Sequence, residues 1–331
     1  MKDKISDDEN GASSASPKIK REERMKAFSI KNVMKNRNNA AYLFVLPFVI
    51  VFLIFSVYPV FRTLYLSFTE YKGYGEPTII GFDNYKRVLG DKFFWRSLYN
   101  TVKMWGLNIV LQLGLAFLLT IVFSDIKYKI TGLPVFRAVY YLPNLIAATS
   151  VAFLFKTLLD WKYGSFNQML LAIGVIDQQI NWLGQRSTAW AVVSVIQAWM
   201  WFGNSFIMLM AGVQGIPQDY FEAAAIDGAG RWKTFGKITL PLLRPILLYV
   251  AVTSLIGGLQ LFDLPFLING VAGASTAGEP GGTLQTVVMY MYKFGFETHQ
   301  VGFASAIAYT LFIIILIVSV LEFKFIGGKE D

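Results

Sequence analysis

Few residues of this 331-residue chain are equipped for covalent chemistry. It has no cysteine and one histidine, His299, which excludes thiol chemistry and a multi-histidine metal site. Gly228-Ala-Gly-Arg-Trp-Lys-Thr234 has the outline of a phosphate-binding loop. Trp232, however, stands where the glycine before the lysine must let backbone amides close on a phosphate. What the sequence does hold is amides and aromatic rings at helical spacing. Gln197, Trp201 and Asn204 stand at i, i+4 and i+7, one face of a helix. Asn108, Gln112, Tyr140, Tyr141, Asn144, Trp199, Ser254 and Gln260 lie in similarly apolar surroundings. An amide–aromatic–amide stripe suits a neutral polyol: amides meet hydroxyls, and a ring covers the apolar face of a sugar. The same residues also suit hydrogen bonding between membrane helices, and spacing does not choose between the two.

The elements that must carry these residues are read from where charge is missing. Hydrophobic residues make up 54% of the chain and charged residues 16%, against about 25% charged in soluble proteins. Asn38–Phe61, Met104–Ser124, Ala138–Phe155, Ser187–Gln218, Pro245–Phe262 and Thr298–Leu321 contain no Asp, Glu, Lys or Arg. Crossing the hydrocarbon of a bilayer takes about 20 residues of helix, so six spans are predicted. Tyr163–Ile176 is also apolar but short and holds Asn167 and Gln168, so it reads as an interfacial helix. The class is therefore all-α and polytopic, with neither nucleic-acid binding nor a disulfide framework in prospect.

Basic residues set the orientation. Residues 1–40 hold ten Lys/Arg, six of them from Arg21 to Arg37. This basic, partly disordered tail is expected to stay in the cytoplasm, along anionic lipid or simply solvated. It is too charged and too long to be a cleavable signal. Six spans return the C-terminus to the same side. The inner loops, about 125–137 and 214–244, then hold seven Lys/Arg in 44 residues, and the outer loops nine in 101. None of the six cores holds an ionisable group of the kind that binds a coupling ion. Arg62 and Asp263 sit at span ends, where snorkelling or capping explains them. A chain built to move something without an engine of its own points to a pore subunit driven by a partner.

The long inner loop reads Ile216-Pro-Gln-Asp-Tyr-Phe-Glu-Ala-Ala-Ala-Ile-Asp-Gly-Ala-Gly230, then Arg231-Trp-Lys-Thr-Phe-Gly-Lys-Ile-Thr-Leu-Pro-Leu-Leu-Arg-Pro245. It predicts two short helices with a glycine corner. Pro217 suits a first helical position, Asp219 and Glu222 the positive end, and Gly228 a left-handed stop. Trp232, Phe235 and Ile238 are predicted on one face of the second helix. An ordinary amphipathic surface loop would read the same way.

Here the chain resembles a known family, the membrane-spanning permease subunits of binding-protein-dependent ABC importers. Glu222-Ala-Ala, Gly228, Ile238, Leu240 and Pro241 match its signature at every fixed position. The resemblance runs from about Ala41 to the end. Tyr42-Leu-Phe-Val-Leu-Pro47, Gly81-Phe-Asp-Asn-Tyr85, Tyr141-Leu-Pro143 and Phe262-Asp-Leu264 are similar to the carbohydrate-uptake (maltose/glycerol-phosphate) branch.

The resemblance implies a type I ABC importer transmembrane fold over 41–331, working as one half of a heterodimer in the bacterial cell membrane. The implied partners are a second permease, two cytoplasmic ATPase subunits that bind ATP and Mg, an extracellular solute-binding protein and membrane lipid. No cofactor is expected in this chain, and no enzyme activity. Glu222, Ala223, Ala224, Asp227, Gly228, Trp232, Phe235, Ile238, Leu240 and Pro241 are implied to form the coupling helix region. Trp232 and Phe235 would anchor it in the ATPase, and Gly228→Val or a charge at Ala224 is expected to uncouple uptake without preventing insertion. Aligned with maltose-type relatives, Asn144, Gln197, Trp201, Asn204, Ser254 and Gly258 fall at substrate-lining positions. Trp201 and Asn204 depart from the maltose pattern, so a neutral sugar or oligosaccharide is implied rather than maltose. A glycerol-phosphate or polyol permease is the alternative, weakened by the lack of a cation in the spans, and an ion-coupled carrier is a more distant one. Trp161–Trp182 is expected to meet the binding protein, Gly270–Gly282 to be a flexible linker, and His299 to be interfacial.

Overall fold

The computed structural model describes residues 37–123, 132–268 and 276–326. The tail up to residue 36, the basic loop around 125–131, residues 269–275 of the glycine-rich stretch and the C-terminus from 327 lie outside the described residues. The chain falls into two units that part between Thr63 and Leu64.

In the first unit Arg37–Phe52, a π turn at Leu53–Val57 and the helix from Tyr58 follow without a gap as α1, which continues to Ser67. The π turn has a cause in the sequence. Pro59 has no N–H, and its ring crowds the carbonyl four residues back. Widening the turn, with Tyr58 N–H donating to Leu53 O, relieves the crowding.

The second unit opens with an antiparallel ribbon, β1 (Thr69–Glu70) and β2 (Thr78–Ile79), and the short helix α2 (Asp83–Gly90). Buried Asn84 fastens them by donating to Ser67 O (3.0 Å) and Thr69 O (2.9 Å). Next come α3 (Lys92–Phe123), α4 (Leu133–Leu145), α5 (Ala148–Leu158), α6 (Ser165–Ala172) and α7 (Ala189–Gln214). α8 (Gln218–Ile226) precedes α9, which runs from Arg231–Thr234 through a π turn at Phe235–Thr239 to Leu240–Leu242. α10 (Arg244–Leu259), α11 (Asp263–Ile268), α12 (Val287–Tyr292, followed by a π turn at Lys293–Glu297) and α13 (Val301–Ile326) complete the order.

Among the described residues, five stretches are long and apolar enough to cross a membrane: Tyr42–Ser67, Lys92–Phe123, Ala189–Gln214, Arg244–Ile268 and Val301–Phe325. The pair α4 and α5, bent by 88° at Ile146 and Ala147, makes a sixth when the two helices are counted as one broken span. The stretch Ala138–Phe155, expected as one span, is therefore not one continuous helix. Ile146 and Ala147 are extended (ψ 131° and 134°), and Pro143 already weakens the ladder just before them. A charge-free run reports apolarity, not continuity of hydrogen bonds. α6 has eight residues, about 12 Å of helix, which is too short to cross a bilayer.

α7 packs along α3 and α4. Gly203 permits close approach: a Cβ there would lie 1.9 Å from Tyr140 O of α4. Gly212 does the same toward Ile246 of α10. The segment leading into α12 is tied to α3. Asn100 donates to Gly282 O (2.8 Å) and Gln285 O (3.2 Å), and Arg96 donates to Gly281 O. The described part of the expected flexible linker is therefore held against the start of α3 by side chains distant in sequence.

Candidate functional site

α3, α7 and α10 surround a cavity of about 260 Å³. α7 presents Gln197, Trp201 and Asn204 to it, α10 presents Tyr249, Thr253, Ser254 and Gly258, and α3 presents Asn108 and Gln112. Gln112 Nε2 donates to Ser205 Oγ (2.7 Å) across to α7, and Asn108 Nδ2 lies 3.4 Å from Gln112 Oε1. Thr253 turns its hydroxyl back on Tyr249 O (2.8 Å). Asn108 Oδ1 and Ser254 Oγ are buried and have no hydrogen-bond partner among the described residues. Hydrogen bonds between membrane helices average only about 0.6 kcal/mol. That is too little to account for so many polar groups facing one space, two of them without partners. The lining carries no Asp, Glu, Lys or Arg, so it can recognise hydroxyls and ring faces but offers no counter-charge.

Five of the six residues placed here by sequence meet in this cavity: Gln197, Trp201, Asn204, Ser254 and Gly258. Asn144 does not. It sits half-buried at the end of α4, just before the bend. Gly258 has a second constraint, because a Cβ there would fall 1.9 Å from Trp105 Cδ1 of α3. Sequence reasoning named Asn108 and Gln112 but gave them no role. Their i, i+4 spacing marked one face of α3, as Tyr249 and Thr253 marked one face of α10.

The second candidate surface is the elbow of α8 and α9. α8 starts at Gln218, with Pro217 as its cap residue rather than its first turn. Gly228 has φ +69°, with Gly228 N–H donating to Ala225 O (3.2 Å) and Ala229 N–H to Ala224 O (2.9 Å). This pair of bonds is the Schellman closure, and the left-handed residue it needs is why glycine stands there. Phe221 and Ala224 face the protein, with Ala224 only 6% exposed. Glu222, Ala223 and Asp227 are exposed, and Gln218 donates to Glu222 Oε1 (2.9 Å). Ile226 (87% exposed) and Trp232 (70%) leave apolar surface uncovered.

The expectation that Trp232, Phe235 and Ile238 share a face is corrected. Phe235 is buried against Phe117 of α3, with ring centroids 5.9 Å apart, while Trp232 points away. A π turn follows at Phe235–Thr239, and its cause is again a proline. Pro241 follows Leu240, whose N–H reaches back five residues to Phe235 O. Phe235 therefore attaches the elbow to its own chain. Leu240 is half-buried and Pro241 exposed where α9 re-enters the helical body.

An all-α body of membrane crossings, a neutral polar cavity between them and a rigid helical elbow define a transport subunit. Comparison with known proteins agrees. Residues 112–323 match the family described as binding-protein-dependent transport system inner membrane component. The chain is 34% identical over 301 residues to the probable ABC transporter permease protein YurN of Bacillus subtilis, covering 90% of this chain and 100% of that one. It is 31% identical over 293 residues to the trehalose/maltose transport system permease protein MalF of Thermococcus litoralis, covering 88% and 94%. A crystal structure of a bacterial alginate ABC transporter, in complex with an alginate pentasaccharide-bound periplasmic protein, superposes with a TM-score of 0.73 at 25% identity, covering 88% of this chain and 95% of that one. The chain belongs to this family of inner membrane components of binding-protein-dependent transport systems, and it is a permease subunit rather than an enzyme.

Proposed function

We propose that the chain is one half of a translocation pathway for a neutral sugar or oligosaccharide. An extracellular binding protein delivers the sugar, a second permease completes the pathway, and two cytoplasmic ATPase subunits that bind ATP and Mg drive it. Both termini lie in the cytoplasm, and the elbow docks in the ATPase through Glu222, Ala223 and Ile226 of α8 and Trp232 of α9. A rigid helix closed by a Schellman motif transmits ATPase closure to α7 and α10, the two helices that flank the elbow in the chain and line the cavity.

The observation that carries the substrate class is the chemistry of the lining: amides, hydroxyls, Trp201 and Tyr249, without a charged side chain. The solved alginate transporter is described as importing an acidic polysaccharide, whereas the relative of known substrate named above is described as a trehalose/maltose permease. A buried anion without a partner costs several kcal/mol, so this lining favours uncharged substrates and disfavours glycerol phosphate. The test is uptake by cells carrying the whole importer. Labelled trehalose, maltose or another neutral oligosaccharide is expected to accumulate, and glycerol phosphate and alginate oligosaccharides are not. Accumulation of the anions alone would overturn the reading. Orientation is checked separately. The chain has no cysteine, so a single Cys at Ala223 should react only with reagents that reach the cytoplasm.

A further inference from the structure

We propose that one free hydroxyl of the transported sugar is read between α3 and α10, with Trp105 and Asn108 of α3 as specificity-determining residues beside Ser254. This subsite rests on the sugar assignment above and brings the helix of the second crossing into recognition.

Three buried polar atoms without a hydrogen-bond partner among the described residues lie on these two helices: Trp105 Nε1, Asn108 Oδ1 and Ser254 Oγ. Asn108, only 5% exposed, lines the cavity, as does Ser254. Trp105 stands behind Gly258, another lining residue. A Cβ on Gly258 would fall 1.9 Å from Trp105 Cδ1 and 2.8 Å from Trp105 Nε1, so the N–H edge of the indole lies against bare glycine backbone. The ring is packed against the cluster that holds Leu255 and Leu259. Trp105 and Asn108 are three residues apart, about 4.5 Å along α3, and Ser254 and Gly258 four apart, about 6 Å along α10. Each pair shares one face of its helix. One oxygen placed about 2.9 Å from a donor and from an acceptor bridges a gap of that size.

The polarity of the three groups names the guest. Asn108 Nδ2 is turned to Gln112 Oε1 (3.4 Å), and Gln112 Nε2 donates to Ser205 Oγ of α7 (2.7 Å). That relay leaves Asn108 Oδ1 as the free acceptor. The Trp105 N–H can only donate, and Ser254 can do either. A sugar hydroxyl donates and accepts at once, so it satisfies the pair. A ring or glycosidic oxygen only accepts, and a deoxygenated carbon does neither. A buried donor or acceptor left unpaired costs more than an ordinary hydrogen bond contributes. A site built this way discriminates strongly against an analogue that lacks the hydroxyl.

The test measures uptake at limiting sugar by the complete importer in proteoliposomes, with ATP and the binding protein. The sugars are trehalose, maltose and their monodeoxy and monodeoxyfluoro analogues at each ring position. One binding protein serves every arm, so its own preference cancels when wild type and variant are compared on the same analogue. At one ring position, wild type should favour the free hydroxyl over both analogues about tenfold more than Asn108→Ala does. Trp105→Phe keeps a ring and loses the N–H, and it should erase the preference at that same position. Equal slowing of the parent sugar and every analogue by both variants would overturn the proposal, because the groups would then only tie α3 to α10 or hold a water. Effects of the two variants at different ring positions would overturn it too. A third measurement needs no variant to fold. Fluorine cannot donate to Asn108 Oδ1, so undiminished wild-type uptake of every deoxyfluoro analogue would refute the subsite while leaving the sugar assignment intact. Failure of wild type to take up any neutral sugar would refute that assignment, and the subsite with it.

Discussion

Trp201 and Tyr249 give the cavity two aromatic rings among amides and hydroxyls, and the energetic weight of recognition should fall on them. Trp201→Ala is expected to raise the KM for sugar uptake about tenfold, since stacking and burial contribute on the order of 1 kcal/mol or more. The maximal rate and the amount of protein in the membrane should change little; a parallel fall in both would mean a structural role instead. The helical spacing of Gln197, Trp201 and Asn204 was legible because one helix carries it. Asn108 and Gln112 were visible only as polar residues, because spacing shows a face without showing what that face meets. Asn144 stands outside the cavity for the same reason: its helix ends at a bend that no periodicity reveals. Tyr290 is a different case, legible only in three dimensions. Its hydroxyl donates to Asp91, and burial first, then that bond, pushes its pKa well above the usual tyrosine value. A raised pKa stabilises the neutral form, so this contribution is complete below the ordinary value of 10.0 and is lost as pH rises through the folded value. Thermal melting of the detergent-solubilised importer should therefore be flat in this respect around neutral pH, and Tyr290→Phe should lower the midpoint there.

Among the elements, the elbow was the most legible, because its stop signal is chemical. Gly228 has open space around its Cα, so the penalty for Gly228→Val is conformational. A left-handed residue other than glycine costs about 1–2 kcal/mol, and a β-branched one more. The variant should reach the membrane in normal amount yet lose sugar-stimulated ATP hydrolysis by the partner subunits. The buried side of α8 revises the expectation for Ala224. A charge there enters the protein's own packing and should reduce the amount inserted, whereas Ala223→Asp, on the exposed face, should uncouple an otherwise normal protein. Quantitative blots beside ATPase assays separate the two. The π turns before Pro59 and Pro241 were not foreseen, although each has a proline as its cause. Sequence periodicity assumes a constant turn and does not show what a face meets, so it did not separate buried Phe235 from exposed Trp232. The close approach at Gly203 predicts that Gly203→Leu, by forcing α4 from α7, lowers the melting midpoint and impairs transport together.

The whole molecule was broadly readable as crossings, because apolarity sets membrane placement, while the long-range ties between α3 and the segment before α12 were not. Asn100 and Arg96 reach residues nearly two hundred positions away, and nothing local announces such pairings. As a unit, the protein has a neutral cavity, an exposed helical elbow and no charged side chain among the cavity's lining residues that could serve a coupling ion. In the proposed function it is a passive gate worked by nucleotide hydrolysis in other subunits. The direct measurement is sugar accumulation in proteoliposomes prepared either with this chain alone under an imposed proton or sodium gradient, or with the complete importer, the loaded binding protein and ATP. Accumulation against a gradient only in the complete, ATP-supplied system is the predicted result. Uphill uptake by the chain alone, fed by the ion gradient, would contradict it.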